Sequence, residues 1–272
     1  MPADPLIANR GLGIRTALFE GALLRRFGAN DKPKVFCIHA FADDGTAFTP
    51  LAASALADDF EVVACDLPGF GASPPSPGEA TIDECAAFVV RLAGALSPDR
   101  PYFLIAHSVG SPIAVRAASA QPDRVRALVS IEGNLTVEDA YFSGRAASYD
   151  DPQTFKAAFE DVVWVMAQDD KGLLRYHRAV RSADARSMWQ LGRDAVRAGS
   201  ADGFGAAYRA LADAGVRSLY LWGKHNTSSQ TAAFVGRHAL ANSAFTASGH
   251  WKSVDAPHET GLIARDLFRE AA

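Results

Sequence analysis

Residues 102–113 read Tyr102-Phe103-Leu104-Ile105-Ala106-His107-Ser108-Val109-Gly110-Ser111-Pro112-Ile113, and this stretch decides the fold. Residues 102–106 form an apolar run of the kind buried on both faces in a parallel sheet. Residues 109–120 are mostly small or apolar and predict a helix. Ser108 therefore sits on a tight strand-to-helix turn. Small residues two positions away on each side, Ala106 and Gly110, leave room for the strained backbone such a turn needs. The turn exposes the hydroxyl above the sheet and aims a helix N-terminus at it. The positive end of the helix dipole favours the negative charge that develops in acyl transfer. The usual pattern is Gly-x-Ser-x-Gly; Ala106 replaces the first glycine, a departure of one methyl group.

Outward from this turn, apolar runs alternate with helical patterns. Runs at 35–39, 60–65, 127–131 and 218–222 predict buried strands, and 244–247 is a weaker last one. The run at 60–65 ends in the turn Asp66-Leu67-Pro68-Gly69-Phe70-Gly71. Segments 14–19 and 22–27 predict a hairpin joined at Glu20-Gly21, and 82–96 and 262–270 predict amphipathic helices. This alternation implies an α/β fold with a mostly parallel sheet flanked by helices. Its chemistry belongs at the carboxyl ends of the strands. Residues 134–205 break the pattern, with no strand but many aromatics, from Tyr141 and Phe142 through Trp164 to Trp189. The division expected is a core of 1–133 and 206–272, with 134–205 as a helical cap (lid) inserted between two strands. Tyr141, Phe142 and Trp164 are its candidate substrate-binding residues.

Two further pieces complete the candidate chemistry. A serine needs a base to become a nucleophile at neutral pH, and histidine has the suitable pKa. Of the seven histidines, His250, in Ser248-Gly249-His250, lies after the candidate last strand and before the closing helix. In Ile38-His39-Ala40-Phe41, at the end of an early buried strand, the amide of Phe41 is placed for an oxyanion hole. The amide of Val109, next to the serine, is its second member. His39 precedes the serine and is expected to brace the turn.

Together His39-Ala40-Phe41, Asp66-Leu67-Pro68-Gly69-Phe70-Gly71-Ala72-Ser73, Ala106-His107-Ser108-Val109-Gly110 and Gly249-His250 resemble the α/β-hydrolase superfamily over nearly the whole chain. The resemblance implies an eight-stranded sheet, a cap after the sixth strand, no cofactor, and a Ser–His–acid triad. It also implies Ser108 as nucleophile and His250 as base. His39-Ala40 departs from the family's His-Gly, which narrows the oxyanion turn. In most relatives the acid is an aspartate in a Gly-x-x-Asp turn after the seventh strand. Here that turn is Gly223-Lys224-His225-Asn226, and a neutral amide cannot stabilise an imidazolium by charge. Some relatives, certain haloalkane dehalogenases and fungal lactone hydrolases among them, carry the acid after the sixth strand. Here that is Glu132 in Ser130-Ile131-Glu132-Gly133-Asn134. An unpaired carboxylate there would be costly, so a hydrogen bond to His250 Nδ1 is expected; a salt bridge to the cap, or the capping of a turn, is the structural alternative. Asp255 is a third candidate acid.

The reaction implied is hydrolysis of a carboxylic ester, lactone or thioester of a small, largely apolar substrate. Carbon–carbon hydrolysis of a diketone-like substrate, or a non-catalytic receptor on the same fold, are the alternatives. Dehalogenation and epoxide hydrolysis are not expected, because in this family they use an aspartate where Ser108 stands.

Composition bounds the partners. A net charge of −4 and a pI near 6.0 leave no basic footprint for nucleic acid or anionic membrane, so a small molecule is the expected partner. The sequence is silent on oligomeric state. Cys37, Cys65 and Cys85 include no CxxC pair, so inert buried thiols are expected and no metal. The first residues, MPADPLIANRGLG, lack the pattern of a secretory signal. No apolar run approaches the roughly 18 residues of a membrane span, and a cytoplasmic enzyme is the expectation.

Overall fold

The computed structural model describes residues 13–199, 203–246 and 248–272. Eight strands form one sheet in the order β1-β2-β4-β3-β5-β6-β7-β8. They are β1 (Arg15–Phe19), β2 (Ala22–Phe27), β3 (Lys34–Ile38), β4 (Glu61–Cys65), β5 (Tyr102–His107), β6 (Val125–Ile131), β7 (Arg217–Gly223) and β8 (Asn242–Phe245). The hairpin β1–β2 and the pair β2–β4 are antiparallel, and the other pairs are parallel. Every residue of β3, β4 and β5 is buried, as their continuous apolar sequences require. The exposed edge strand β1 alternates instead.

After the short α1 (Leu56–Asp59), α2 (Ile82–Leu96) and α3 (Gly110–Ala120) cover the sheet. Thr81 starts α2 by accepting from the Glu84 N–H at 3.1 Å. Ile82, Cys85, Val89 and Leu92 then form its buried stripe. Between β6 and β7 the chain makes two 3₁₀ turns and then α4 (Pro152–Met166), α5 (Lys171–Ser182) and α6 (Ala185–Gly199). The range 134–205 ends just inside the next helix, α7 (Gly203–Asp213), which packs on α3 and β7 and so belongs to the sheet's flank. The helices α8 (Ser229–Arg237), α9 (Lys252–Asp255) and α10 (Pro257–Ala271) finish the chain. The last strand lies two residues earlier than its sequence suggests, and Ala247 is outside the described residues. Among the described residues no helix is long and apolar enough to cross a membrane. The three cysteines are free and buried, and burial pushes the Cys65 and Cys85 thiols up to about 12.

The topology locates the site. From β3 the chain moves one way to β4, then returns to place β5 on the other side of β3. The crevice at such a switch point, beyond the carboxyl ends of β3 and β5, is where ligands bind in open α/β sheets. Backbone strain collects there as well. Ala42, Ser108 and Glu132, beyond the ends of the adjacent strands β3, β5 and β6, have φ of 53°, 51° and 46°. Non-glycine residues hold such angles only where their surroundings over-determine them, and they cluster at functional sites.

Candidate active site

Ser108 is held from three sides. Its N–H donates to Ile131 O at 2.9 Å, and its carbonyl accepts from the N–H groups of Ser111 at 2.9 Å and Asn134 at 3.4 Å. Gly110 lets the following helix approach β3: a Cβ there would lie 2.5 Å from Ile38 O and 2.7 Å from His39 O. The glycine after the serine is thus demanded by sterics. Ala106 lies inside fully buried β5, where its methyl group is accommodated.

The turn after β3 faces Ser108. The Leu67 N–H donates to His39 Nε2 at 3.0 Å, so the proton sits on Nδ1, which donates to Ala40 O at 2.8 Å. His39 is therefore a brace for the turn. The segment Asp66–Ser73 supports it from below: the Asp66 carboxylate accepts from Gly45 N at 2.8 Å and Ala72 N at 2.9 Å. The N–H groups of Phe41 and Val109 have no protein acceptor among the described residues.

His250 lies beyond β8, half-buried, with its ring centroid 4.6 Å from that of His107 and 5.1 Å from that of Trp251. Burial holds its pKa below the ordinary histidine value; the Glu132 and Asp43 charges oppose this, and Lys252 reinforces it. Burial thus favours the neutral imidazole, the form a general base needs. His107 is fully buried, and burial drives its ring far below the ordinary value.

Glu132 departs from its expected contact. Its Oε1 accepts from Gly223 N at 2.7 Å and from Lys252 Nζ, and its Oε2 accepts from Thr227 Oγ1 at 2.8 Å. The Glu132–His250 hydrogen bond is not formed, and neither ring nitrogen of His250 has a partner among the described residues. The reason is Lys252, wholly buried two residues beyond His250, whose ammonium takes the carboxylate as counter-ion. Glu132 therefore acts on His250 through charge rather than contact in this state. Asn226 Nδ2 donates to Ser248 O at 3.1 Å, and Asp255 is exposed and beside Gly249. The Ser108 hydroxyl donates to Asn134 Oδ1 at 3.4 Å, while Asn134 Nδ2 is buried without a partner.

A cavity of about 270 Å³ joins these groups, with Ser108, His250, Glu132 and Phe41 in its wall. Tyr141 and Phe142 line it, together with Tyr176 and Trp251. Trp164 does not. On α4 the buried stripe is Phe155, Phe159 and Val163, and Trp164 falls about 100° round from it. It is 48 % exposed and packs on His177 outside the cavity, so its reading as a substrate-binding residue is corrected. Lys252 and Asn134 carried no signal in the sequence, because an isolated lysine or asparagine is ordinarily a surface residue; Tyr176 was one of the cap aromatics, with nothing to single it out from the rest. Among the described residues no three His, Cys, Asp or Glu side chains converge to hold a metal ion.

The alpha/beta hydrolase fold family matches residues 33–237. The chain belongs to this family. It is similar to the dihydrolipoyllysine-residue acetyltransferase component of the acetoin cleaving system of Cupriavidus necator, 29 % identical over 62 % of this chain and 45 % of that one. It is also similar to a lipase of Mycobacterium tuberculosis, LipV, 30 % identical over 42 % of each chain. This alpha/beta hydrolase chain thus spans less than half the length of those relatives. Among solved structures, a thermophilic esterase from Thermogutta terrifontis superposes with TM-score 0.72 at 18 % identity, over 95 % of this chain and 97 % of the other. An AqdC variant studied for ring-cleavage of the Pseudomonas quinolone signal superposes with TM-score 0.75 at 19 % identity, over 95 % and 100 %. At these identities the structures speak for the alpha/beta hydrolase fold.

Proposed function

We propose that this alpha/beta hydrolase is a serine hydrolase that cleaves a carboxylic ester, lactone or thioester of a small, largely apolar substrate. The observation that carries the reading is Ser108, strained at the β5–α3 elbow and opening into a cavity it shares with His250. Ser108 Oγ attacks the substrate carbonyl while His250 takes its proton. The Phe41 and Val109 amides bind the oxyanion of the tetrahedral intermediate. His250 then returns the proton to the leaving oxygen or sulfur, and water resolves the acyl-enzyme by the same steps. Glu132 supplies the charge that stabilises the imidazolium, and helices α4 to α6 serve as the cap.

The test is a fluorophosphonate probe followed by peptide mass spectrometry, beside a panel of p-nitrophenyl esters, lactones, thioesters and one ring-fission diketone. Labelling at Ser108 with turnover of an ester, lactone or thioester supports the proposal. Labelling with turnover of the diketone alone would make carbon–carbon hydrolysis the reaction. A protein that neither labels nor turns over any of them would be a binding protein.

Cap aromatics should set acyl size. Phe142→Ala is expected to change the ratio of kcat/KM for hexanoyl and acetyl esters about tenfold, the scale of a pocket altered by one or more methylenes. Trp164→Ala, outside the cavity, is expected to leave that ratio within twofold. Equal ratios for both variants would mean that Phe142 only holds the cap in place.

A further inference from the structure

The turn after β3 is supported by contacts from distant parts of the chain. Ala42 sits at φ 53° without a glycine's freedom, and the turn's own hydrogen bond, Asp43 N to Ala40 O, is 3.2 Å long. The contacts that over-determine this strained turn come from elsewhere in the chain. Tyr176 of α5 donates its hydroxyl to Phe41 O at 2.8 Å. Arg175, the preceding residue on α5, grips the Asp43 carboxylate through both terminal nitrogens, at 2.7 and 2.8 Å. The Phe41 ring packs on Phe155 and Phe159 of α4, with centroids 6.3 and 5.6 Å away.

Asp43 also reaches the other half of the site. Its Oδ2 accepts from the indole Nε1 of Trp251, the residue after His250, at 2.9 Å. Asp43 is wholly buried; burial pushes its carboxyl up, but the Arg175 charge and hydrogen bonds outweigh this and hold it below the ordinary range. A charged, bidentate, buried pair is rigid and directional. One carboxylate thus ties together the turn that carries the Phe41 amide, the helix above it and the loop that carries His250.

We propose that Arg175 and Tyr176 are positioning residues, whose docking on the Phe41–Asp43 turn places the Phe41 amide for the oxyanion. The cap helix α5 is then part of the catalytic assembly rather than a cover alone. The inference rests on the reading of Ser108 as nucleophile and Phe41 as oxyanion donor.

Two variants test it. Tyr176→Phe removes a single oxygen. Arg175→Met combined with Asp43→Asn replaces the ion pair by a neutral one, so that no buried charge is stranded. Each is assayed with p-nitrophenyl butyrate and with phenylboronic acid, which forms a tetrahedral adduct on an active serine. Removing an oxyanion donor outright costs about 10²–10³ in kcat, and a displaced one should cost less. Tyr176→Phe is expected to lower kcat and boronic-acid affinity together by about fivefold, and the double variant by at least tenfold, with KM within twofold. Merely structural contacts would lower the folded fraction without changing boronic-acid affinity of the folded protein. Affinity and kcat within twofold of wild type in Tyr176→Phe and in the folded double variant would overturn the inference; should the double variant not fold, Tyr176→Phe decides alone. Wild-type protein that fails to label with fluorophosphonate would remove the Ser108 reading and this inference with it, whereas intact labelling with unchanged affinities removes this inference only.

Discussion

Ser108→Ala is expected to turn over short acyl esters about 10⁴- to 10⁶-fold more slowly than wild type, from a folded protein of nearly unchanged Tm. On the proposed mechanism the loss follows from removal of the oxygen that forms the acyl-enzyme. The fold should survive because the hydroxyl has one long hydrogen bond, to Asn134 at 3.4 Å, while the backbone bonds of the elbow remain. Alanine meets the same strain at φ 51° as serine, so the turn gains no new penalty. A purified Ser108→Ala protein, free of contaminating esterase, that kept wild-type rates would place the nucleophile elsewhere.

The second large effect concerns the buried pair beside His250. Glu132→Gln is expected to lower kcat by up to about 10⁴-fold, the scale seen when the acid of a triad becomes an amide. Its pH profile carries the sharper signature. On the proposed mechanism the neutral form of His250 is the base, so kcat/KM is expected to rise with pH through the His250 pKa and then level. Glu132 raises that pKa and Lys252 lowers it. Glu132→Gln should therefore move the acid limb to lower pH, and Lys252→Met should move it to higher pH. Either change alone breaks a buried ion pair and should cost about 3–5 kcal/mol of stability. The combination Glu132→Gln with Lys252→Met should recover most of that stability and none of the activity. Asn226→Ala, whose amide donates to Ser248 O alone among the described residues, should stay within a few-fold of wild type. Limbs that do not move in either single variant would show that His250 senses neither charge. A near-silent Glu132→Gln beside a crippled Asn226→Ala would return the role to the usual position after β7.

Much of this protein is legible residue by residue. The alternation of doubly buried apolar runs with helical segments announces the parallel sheet, because a strand covered on both faces must be apolar throughout. Ala106-His107-Ser108-Val109-Gly110 announces the elbow, because its geometry is local: a left-handed serine and a glycine that lies 2.5 Å, measured from a notional Cβ, from the neighbouring strand's carbonyl. Such requirements act over a few residues, and sequence records them directly. The contacts that finish the site act across more than a hundred positions. Glu132 and Lys252 are 120 residues apart, and Asp43 lies 132 from Arg175 and 208 from Trp251. No spacing or periodicity links such pairs: Glu132 stands out by its place after a strand, but nothing local names Lys252 as its partner, or Arg175 and Trp251 as those of Asp43. The outward turn of Trp164 was decided in the same way, by which face of α4 meets Phe41. Sequence by itself determined the fold and the candidate nucleophile and base. Only the tertiary structure decided what surrounds them, because burial alone turned a lysine, an arginine and two carboxylates into fixed partners.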